Sequence, residues 1–340
     1  MIFVTGGTGL VGAHLLYELT RNGKKVKALK RKTSQVRQVL KTFSFYTSDA
    51  QKLFDSIEWV DGDILDYFSL EKILQGVEEI YHCAAIVSFV TKDRRKIISN
   101  NVEGTANLID AALENGVKKI CHVSSVAALG KYSYGEPVTE ETNWIPGKKH
   151  SAYSQSKFFS EVEIWRGIEE GLDAIIVNPS IILGPGNWET SSPRLFKTIW
   201  EGLKFYTRGV TGYVDVNDVV RAMLQLMDET NFSKCKNQRF LLNAENLSYE
   251  KVFHHIADSL GKPAPSVYAS PLMTGIAWRV AAFSALITGK TPAITKDVVS
   301  SSHSISHYDG SKITNAIGLK YIPIKDSIKN TSLIFTNDIK

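Results

Sequence analysis

Cysteine is scarce in this sequence, which has three cysteines, Cys83, Cys121 and Cys235, among 340 residues. An odd and widely spaced set does not form a disulfide framework. Cys83 and Cys121 also lie in apolar, strand-like runs, so we expect reduced thiols in a cytoplasmic protein. A secretory leader is not expected, because the first strand begins at Ile2.

The sequence has no dense run of basic or of acidic residues. The 40 basic and 35 acidic residues give a net charge of +5 and are spread along the sequence. This distribution predicts a small-molecule partner and excludes a nucleic-acid partner. His82 and His122 alternate with apolar residues inside strands and do not have the spacing of metal ligands, so we expect no metal site.

Long hydrophobic runs are also missing, with one partial exception at 271–289, PLMTGIAWRVAAFSALITG. A helix that spans a bilayer needs about 20 apolar residues, and Arg279 and two glycines interrupt this segment. We therefore predict a buried or amphipathic helix. Peripheral contact with a membrane or a lipid-like substrate stays open for this segment, and a homodimer stays open for the chain.

Strand-like and helix-like patterns alternate as far as Pro179, and the strand-like runs are strongly apolar. Such strands, separated by helices, predict an α/β fold with a doubly wound parallel sheet of the Rossmann type. The alternation then fades into shorter, aromatic-rich pieces. We predict a dinucleotide-binding domain at 1–180 and a smaller substrate-binding lobe at 181–340, with some exchange of strands or helices between them. Residues 40–56 fit neither pattern.

A glycine-rich turn, TGGTGLVG at 5–12, follows the first strand and opens a helix. Its Gly-x-Gly-x-x-Gly spacing is typical of dinucleotide sites, where glycines permit a tight turn and close approach of the pyrophosphate to the helix N-terminus. A simple packing turn is the alternative. The predicted cofactor contacts in this turn are Gly6, Thr8, Gly9, Leu10, Val11 and Gly12.

The second strand ends in Lys30-Arg31-Lys32, where an NAD site usually has an acidic residue for the ribose 2′-hydroxyl. Cations at this position favour a 2′-phosphate, which Arg31 can bind through two hydrogen bonds. We therefore predict NADP as the cofactor, held by Arg31 and Lys32, with NAD as the alternative. A solvated basic strand end would explain the same residues without a ligand.

Tyr153 and Lys157 are four residues apart on a predicted helix, which places the phenol and the ammonium on one face. A free tyrosine, with a pKa of about 10, is a poor acid–base catalyst at neutral pH. The lysine cation, together with the positive nicotinamide of an oxidised cofactor, is expected to lower that pKa. Ser124 and Ser125 end the fifth strand, at the carboxyl edge where such sheets bind ligands. These residues predict reduction of a carbonyl, or the reverse.

Taken together, these motifs resemble the extended short-chain dehydrogenase/reductase superfamily, strongly over 1–225 and loosely beyond. Within it, the sequence is most similar to the branch of dihydroflavonol reductases and 3β-hydroxysteroid dehydrogenases. The matching stretches, in order, are TGGTGLVG (5–12), Asp63, CAA (83–85), NNVEGTANLI (100–109), HVSSVAALG (122–130), YSQSK (153–157), NPSIILGPG (178–186) and GYVDVNDVVRAM (212–223).

The resemblance implies specific roles for residues at matching positions. Ser125 matches the catalytic serine, Tyr153 the acid–base residue, and Lys157 the lysine that orients the nicotinamide ribose. Asn101 matches an asparagine that supports this lysine through water, and Ser124 is a weaker candidate for a substrate contact. Three pairs of residues are implied along the cofactor: Asp63 with Ile64 at the adenine, Ala84 with Ala85 beside its length, and Pro179 with Ser180 at the nicotinamide.

Three functions remain open at this point: a carbonyl reductase or alcohol dehydrogenase, a sugar-nucleotide epimerase or dehydratase, and a non-enzymatic NADP-binding regulator. Asn178 stands where sugar-nucleotide enzymes usually have arginine, which favours the first function. The second needs a basic clamp for a diphosphate, for which Arg194, Lys204 and Arg208 are the candidates. The loop at 183–190 and the aromatic residues after it are expected to close over the nicotinamide, unless those aromatics are ordinary core.

Overall fold

The structure is a computed structural model that describes residues 1–88, 90, 93–130, 135–145, 150–288 and 294–339. Its strands are β1 (Ile2–Thr5), β2 (Val26–Lys30), β3 (Glu58–Asp61), β4 (Glu79–His82), β5 (Lys119–Val123), β6 (Asp173–Pro179), β7 (Ile181–Leu183), β8 (Phe205–Tyr206), β9 (Val210–Asp215), β10 (Gln238–Leu242), β11 (Glu245–Ser248) and β12 (Val267–Tyr268).

The helices alternate with these strands in the first half and dominate the end of the chain. They are α1 (Leu10–Arg21), α2 (Arg37–Ser44), α3 (Ala50–Asp55), α4 (Tyr67–Ile73), α5 (Arg94–Ile98), α6 (Gly104–Glu114), α7 (Ala152–Glu169), α8 (Arg194–Trp200), α9 (Val216–Met227), α10 (Glu229–Cys235), α11 (Tyr249–Leu260), α12 (Pro271–Thr288), α13 (Lys296–His303), α14 (Ser311–Ile317) and α15 (Ile324–Asp338).

Within the described chain, seven strands form one parallel sheet in the order β3-β2-β1-β4-β5-β6-β10. Every residue of β5 is buried, as expected for a strand covered on both faces. One apolar core packs α1, α2 and α9 against the sheet, and a second packs α4, α6 and α7. The predicted doubly wound parallel sheet is confirmed.

The second half of the chain builds a smaller sheet, with the order β11-β9-β7, beside a third apolar cluster under α8, α11 and α15. Strand β10 nevertheless lies beside β6 in the large sheet, and α9 packs on α1. The division at residue 180 stays a prediction. Residues 40–56, which sequence patterns left unassigned, lie in α2, α3 and the short stretches that join and follow them, where Phe43 and Ala50 are buried.

Helix α12 corresponds to the predicted helix at 271–289, of which residue 289 lies outside the described residues. It is not buried, since Leu272, Val280 and Phe283 are 75%, 62% and 66% exposed. Among the helices the structure describes, none is both long and apolar enough to cross a membrane. The structure does not show what covers this face, so lipid contact and homodimer formation stay predictions.

Candidate active site

The glycine turn between β1 and α1 brings backbone segments closer than side chains would allow. Gly6 has a φ of +69°, in the left-handed region, and a Cβ there would lie 2.5 Å from the Ala84 nitrogen. A Cβ on Gly12 would lie 2.2 Å from the Gly6 carbonyl oxygen. In the described structure no side chain caps α1 at Gly9, so the first N–H groups of the helix are open to an anion.

Two adjoining cavities lie along the carboxyl edge of the sheet in the described part of the chain, with volumes of about 210 and 610 Å³. Gly9, Cys83 and Ala85 line both, so we treat them as one candidate cleft. The predicted residues at the smaller cavity are Gly6, Thr8, Gly9, Arg31, Asp63, Ile64, Ala84 and Ala85. Those at the larger cavity are Gly9, Leu10, Val11, Gly12, Ala85, Ser124, Ser125, Tyr153, Lys157, Pro179 and Ser180.

The end of β2 places Arg31, but not Lys32, beside the smaller cavity. The Arg31 amide donates to the Ser34 hydroxyl at 2.9 Å, and the Ser34 amide donates to the Arg31 carbonyl at 2.9 Å. Ser34 also lines the cavity and was missed by the sequence analysis, although a hydroxyl three positions after Arg31 was available as a signal. Asp61, at the end of the neighbouring strand, is paired with Lys30 at 2.6 Å.

Ser125 and Tyr153 meet at the wall of the larger cavity. The Ser125 hydroxyl accepts a hydrogen bond from the Ala127 amide at 3.1 Å and is also hydrogen-bonded to the Tyr153 phenol. Burial raises the pKa of Tyr153, and the hydrogen bond to Ser125 acts in the opposite direction. The expected lowering of this pKa by Lys157 is therefore wrong for the protein groups alone, because desolvation of the phenolate is the larger effect. At neutral pH the phenol is protonated.

Lys157 lies one turn further along α7 and is 4% exposed. Its ammonium donates to the Val123 carbonyl at 2.7 Å. Burial lowers the pKa of Lys157 to about 8, while Glu161 and Cys83 act to raise it. The Cys83 thiol has a pKa raised to about 12 by burial and is neutral.

Asn101 lies in a wide π-type turn, Ser99–Glu103, between α5 and α6, and does not line the cleft. Its side-chain amide donates to the Ile86 carbonyl at 3.0 Å and its oxygen accepts from the Ile86 amide at 2.7 Å. The same amide donates to the Ser156 hydroxyl at 3.0 Å. Asn101 thereby joins the segment after β4 to α7. Its predicted support of Lys157 through water stays a prediction.

The substrate side of the larger cavity differs from the aromatic pocket that the sequence suggested. The loop at 183–190 does not line it, and Trp188 and Phe196 are core residues that pack near Phe335. Apolar side chains and hydroxyl groups from several segments form the wall instead. They include Val87, Leu129, Ile145, Ile181, Ile182, Ser191, Ser192, Thr211, Tyr249, Ser300, Ser301, Ser304, Ser306 and Tyr308.

Charged side chains are few in this wall. The described residues that line the larger cavity include one lysine, Lys157, one acidic residue, Asp297, and no arginine. The clamp candidates Arg194, Lys204 and Arg208 all lie elsewhere, and the Arg208 guanidinium stacks 4.6 Å from the Tyr268 ring. The larger cavity therefore offers no basic clamp for a diphosphate within the described residues.

The histidines beneath the cleft are packed in the core. His82 lies between the Thr5 hydroxyl at 2.7 Å and the Thr105 hydroxyl at 3.0 Å, and burial lowers its pKa to about 3. The His122 ring lies beside it, tilted by 34°, with ring centroids 5.0 Å apart. No three His, Cys, Asp or Glu side chains of the described chain gather closely enough to hold a metal ion.

Comparison with known proteins agrees with this architecture. The model of the NAD dependent epimerase/dehydratase family matches residues 2–238. A Synechocystis protein named as a candidate dihydroflavonol 4-reductase is 32% identical over 98% of this chain and 94% of its own length. Sterol demethylase protein B of Methylococcus capsulatus is 31% identical over 81% of this chain and 79% of its own length.

Solved structures share the fold over nearly the whole chain. The crystal structure of gox2253 has a TM-score of 0.81 and 28% identity, covering 99% of this chain and 98% of its own. UDP-glucose 4-epimerase from Thermotoga maritima has a TM-score of 0.77 and 21% identity, covering 100% of this chain and 99% of its own. The chain belongs to the NAD dependent epimerase/dehydratase family and is an NAD(P)-dependent enzyme of the extended short-chain dehydrogenase/reductase type.

Proposed function

We propose that this protein is an NADP-dependent oxidoreductase that interconverts a carbonyl group and an alcohol on an uncharged, largely apolar small molecule. The observation that carries the proposal is the Tyr153–Ser125 contact, one helical turn from Lys157, at the wall of a cavity whose described lining contains no arginine. The relatives named as reductases support the reaction class, and the cavity wall supports the substrate class.

The roles of the three residues follow from their chemistry. The cofactor, when bound, supplies the hydride. Tyr153 is protonated at neutral pH and gives its proton to the carbonyl oxygen, which the Ser125 hydroxyl holds in place. The phenolate that remains regains a proton from solvent, and the ammonium of Lys157 stabilises it until then. In the oxidative direction Tyr153 must first lose its proton to solvent, and its phenolate then accepts the proton of the alcohol.

The residues around the cleft fit a dinucleotide cofactor. The open N-terminus of α1 would hold the pyrophosphate, with Thr8 beside it. Ser180 lines the larger cavity, and its buried hydroxyl has no hydrogen-bond partner in the described structure. We assign it to the nicotinamide end with Pro179, because a buried unpaired hydroxyl is costly unless a ligand group satisfies it.

The adenosine half of the cofactor would lie in the smaller cavity. The wall formed by Asp63 and Ile64 supports the adenine position, and Ala84 supports passage of the cofactor close to the backbone after β4. Arg31 and Ser34 carry the choice of NADP over NAD, since a guanidinium and a hydroxyl there suit a 2′-phosphate.

Arg31→Ala is expected to weaken NADPH binding by about tenfold to a hundredfold, the value of one charge-assisted hydrogen bond. NADH binding should change by less than about twofold, because the 2′-hydroxyl does not need the cation. Fluorescence titration of both cofactors measures the ratio. Lys25→Ala is the matched control, because Lys25 is an exposed cation at the opposite end of β2 and lines neither cavity. Equal or tighter binding of NADH by the unmodified protein would contradict the NADP assignment.

Turnover of a substrate panel tests the reaction class. NADPH oxidation is measured with aromatic and alicyclic ketones and aldehydes, and UDP-glucose is included for the epimerase alternative. We expect turnover of uncharged carbonyl compounds. Conversion of UDP-glucose without net NADPH oxidation would establish the sugar-nucleotide function instead, and cofactor binding with no turnover of either class would favour a regulator.

A further inference from the structure

A buried carboxylate lies one turn beyond Lys157 on the same face of α7. Glu161 is 2% exposed. Its carboxylate accepts hydrogen bonds from the Ser124 hydroxyl at 2.5 Å and the Asn178 side-chain amide at 2.5 Å. The Arg239 guanidinium donates to its other oxygen at 3.4 Å. The sequence analysis assigned no role to Glu161.

The pKa of the buried Glu161 carboxyl lies above its ordinary value, although three neighbouring donors oppose that rise. Burial raises the pKa of its carboxyl, but Ser124, Arg239 and Asn178 all donate hydrogen bonds that lower it. The Asn178 amide and the Arg239 guanidinium can only donate to Glu161, which suits a carboxylate, whereas the Ser124 hydroxyl can accept as well as donate. The positive charge of Arg239, which reaches Glu161 from β10, compensates for much of the cost of burying the anion.

Glu161 is connected to the backbone of the proposed catalytic serine. The Asn178 amide that binds Glu161 also donates to the Ser125 carbonyl at 3.1 Å. Asn178 lies at the end of β6 and is fully buried. A chain of contacts from carboxylate to amide to carbonyl thus connects Ser125, the second residue after β5, to the helix that carries Tyr153.

The charge of Glu161 also acts on Lys157. The other titratable groups that interact with the ammonium are Cys83, His82 and His122. The thiol of Cys83 has a raised pKa and both histidines have lowered pKa values, so all three are neutral near pH 7. Of these described groups, Glu161 is the one that supplies a negative charge.

We propose that Glu161 is a positioning residue of the active site, which holds the Ser125 backbone through Asn178 and supplies the counter-charge of Lys157. It touches neither the proposed substrate position nor the cofactor cavity, so it acts through these neighbours. The inference rests on the proposed Ser125, Tyr153 and Lys157 chemistry.

Glu161→Gln tests the electrostatic part, with NADPH as the probe. We expect NADPH affinity of the unmodified protein to fall as pH rises through about 8, where Lys157 loses its proton. Removing the nearby negative charge lowers the Lys157 pKa further, so this fall should move to lower pH by about one unit. Glu163→Gln is the matched control on the same helix, because Glu163 pairs with Arg166 near the surface and should leave the profile unchanged.

The Lys157→Met variant tests whether the fall in NADPH affinity near pH 8 comes from deprotonation of Lys157. If it does, the fall should be absent in that variant. An unchanged profile in a folded Glu161→Gln protein would overturn the electrostatic part, as would a Lys157→Met protein that keeps the fall. Glu161→Asp keeps the charge and should keep the profile.

Asn178→Ala tests the positioning part and also serves if Glu161→Gln fails to fold. It breaks the connection to Ser125 but keeps the charge, so kcat should fall by about tenfold with no shift of the pH profile. A kcat within about twofold of the unmodified value would overturn this part.

The proposed function and the role of Glu161 can fail separately. Full activity of the Tyr153→Phe variant overturns the proposed function. If Tyr153→Phe is inactive but both Asn178→Ala and Glu161→Gln behave like the unmodified protein, only the role of Glu161 is overturned.

Discussion

Tyr153→Phe is expected to lower kcat by about 10²–10⁴-fold, the usual contribution of one positioned proton donor. The substitution removes the phenol and keeps the ring, so packing at the cavity wall is preserved. Because burial raises the pKa of Tyr153, the unmodified enzyme holds the proton that reduction consumes throughout the neutral range. NADPH affinity should change by less than about tenfold, which is the most that one neutral hydrogen bond contributes.

Steady-state kinetics with the carbonyl compound turned over best in the panel, together with NADPH titration, measure these two effects. Tyr213→Phe is the control for loss of a tyrosine hydroxyl, since the buried Tyr213 hydroxyl has no hydrogen-bond partner among the described residues. It should leave kcat within about twofold. Near-normal turnover by Tyr153→Phe would place the chemistry elsewhere.

Lys157→Met is expected to reduce both turnover and cofactor binding. The ammonium is proposed to contact the nicotinamide ribose and to stabilise the tyrosine phenolate, so its loss affects both steps. A charge-assisted hydrogen bond contributes about 1.5–3 kcal/mol, which predicts a loss of about tenfold to a hundredfold in NADPH affinity. Activity of the unmodified enzyme should decline above about pH 8, because the Lys157 pKa lies there and the neutral amine no longer stabilises the phenolate.

Lys119→Met is a closely matched control for Lys157→Met. Lys119 is also a buried lysine whose ammonium donates to a backbone carbonyl, that of Met227 at 2.6 Å, but it lies at the opposite end of β5. Its loss should affect stability and leave NADPH affinity within about twofold. If both variants lose affinity equally, the effect of Lys157→Met is structural and the proposed contact is wrong.

Much of the fold could be predicted because its signals are local. The apolar strands and the glycine spacing depend on residues that are neighbours in sequence, and the predicted parallel sheet is confirmed. Ser34 and Glu161 were missed for the opposite reason. Their significance depends on Arg31 turning toward one cavity and on Asn178 and Arg239 arriving from other strands.

The aromatic residues after residue 183 show a second limit of sequence reasoning. From sequence alone, Trp188 and Phe196 could belong either to a pocket wall or to the core, because aromatic residues occur in both. Trp188 packs against Phe196 and against Phe335 near the end of the chain, and all three lie in one buried cluster. The cavity wall comes instead from serines, aliphatic residues and the tyrosines Tyr249 and Tyr308, spread over several segments. The boundary at residue 180 remains a proposal, because β10 joins the large sheet from beyond it.

The position of β10 late in the sequence means that the large sheet cannot be completed until most of the chain has been synthesised. Until residues 238–242 leave the ribosome, β6 is an exposed sheet edge with unpaired backbone groups, a template for aggregation. Arg239 arrives on the same strand, so Glu161 lacks its guanidinium partner until then. A nascent chain that ends at residue 237 therefore has the glycine turn, Tyr153 and Lys157, yet it cannot complete the network beneath them. We expect synthesis of the first 237 residues alone to yield an insoluble product rather than a small dinucleotide-binding domain.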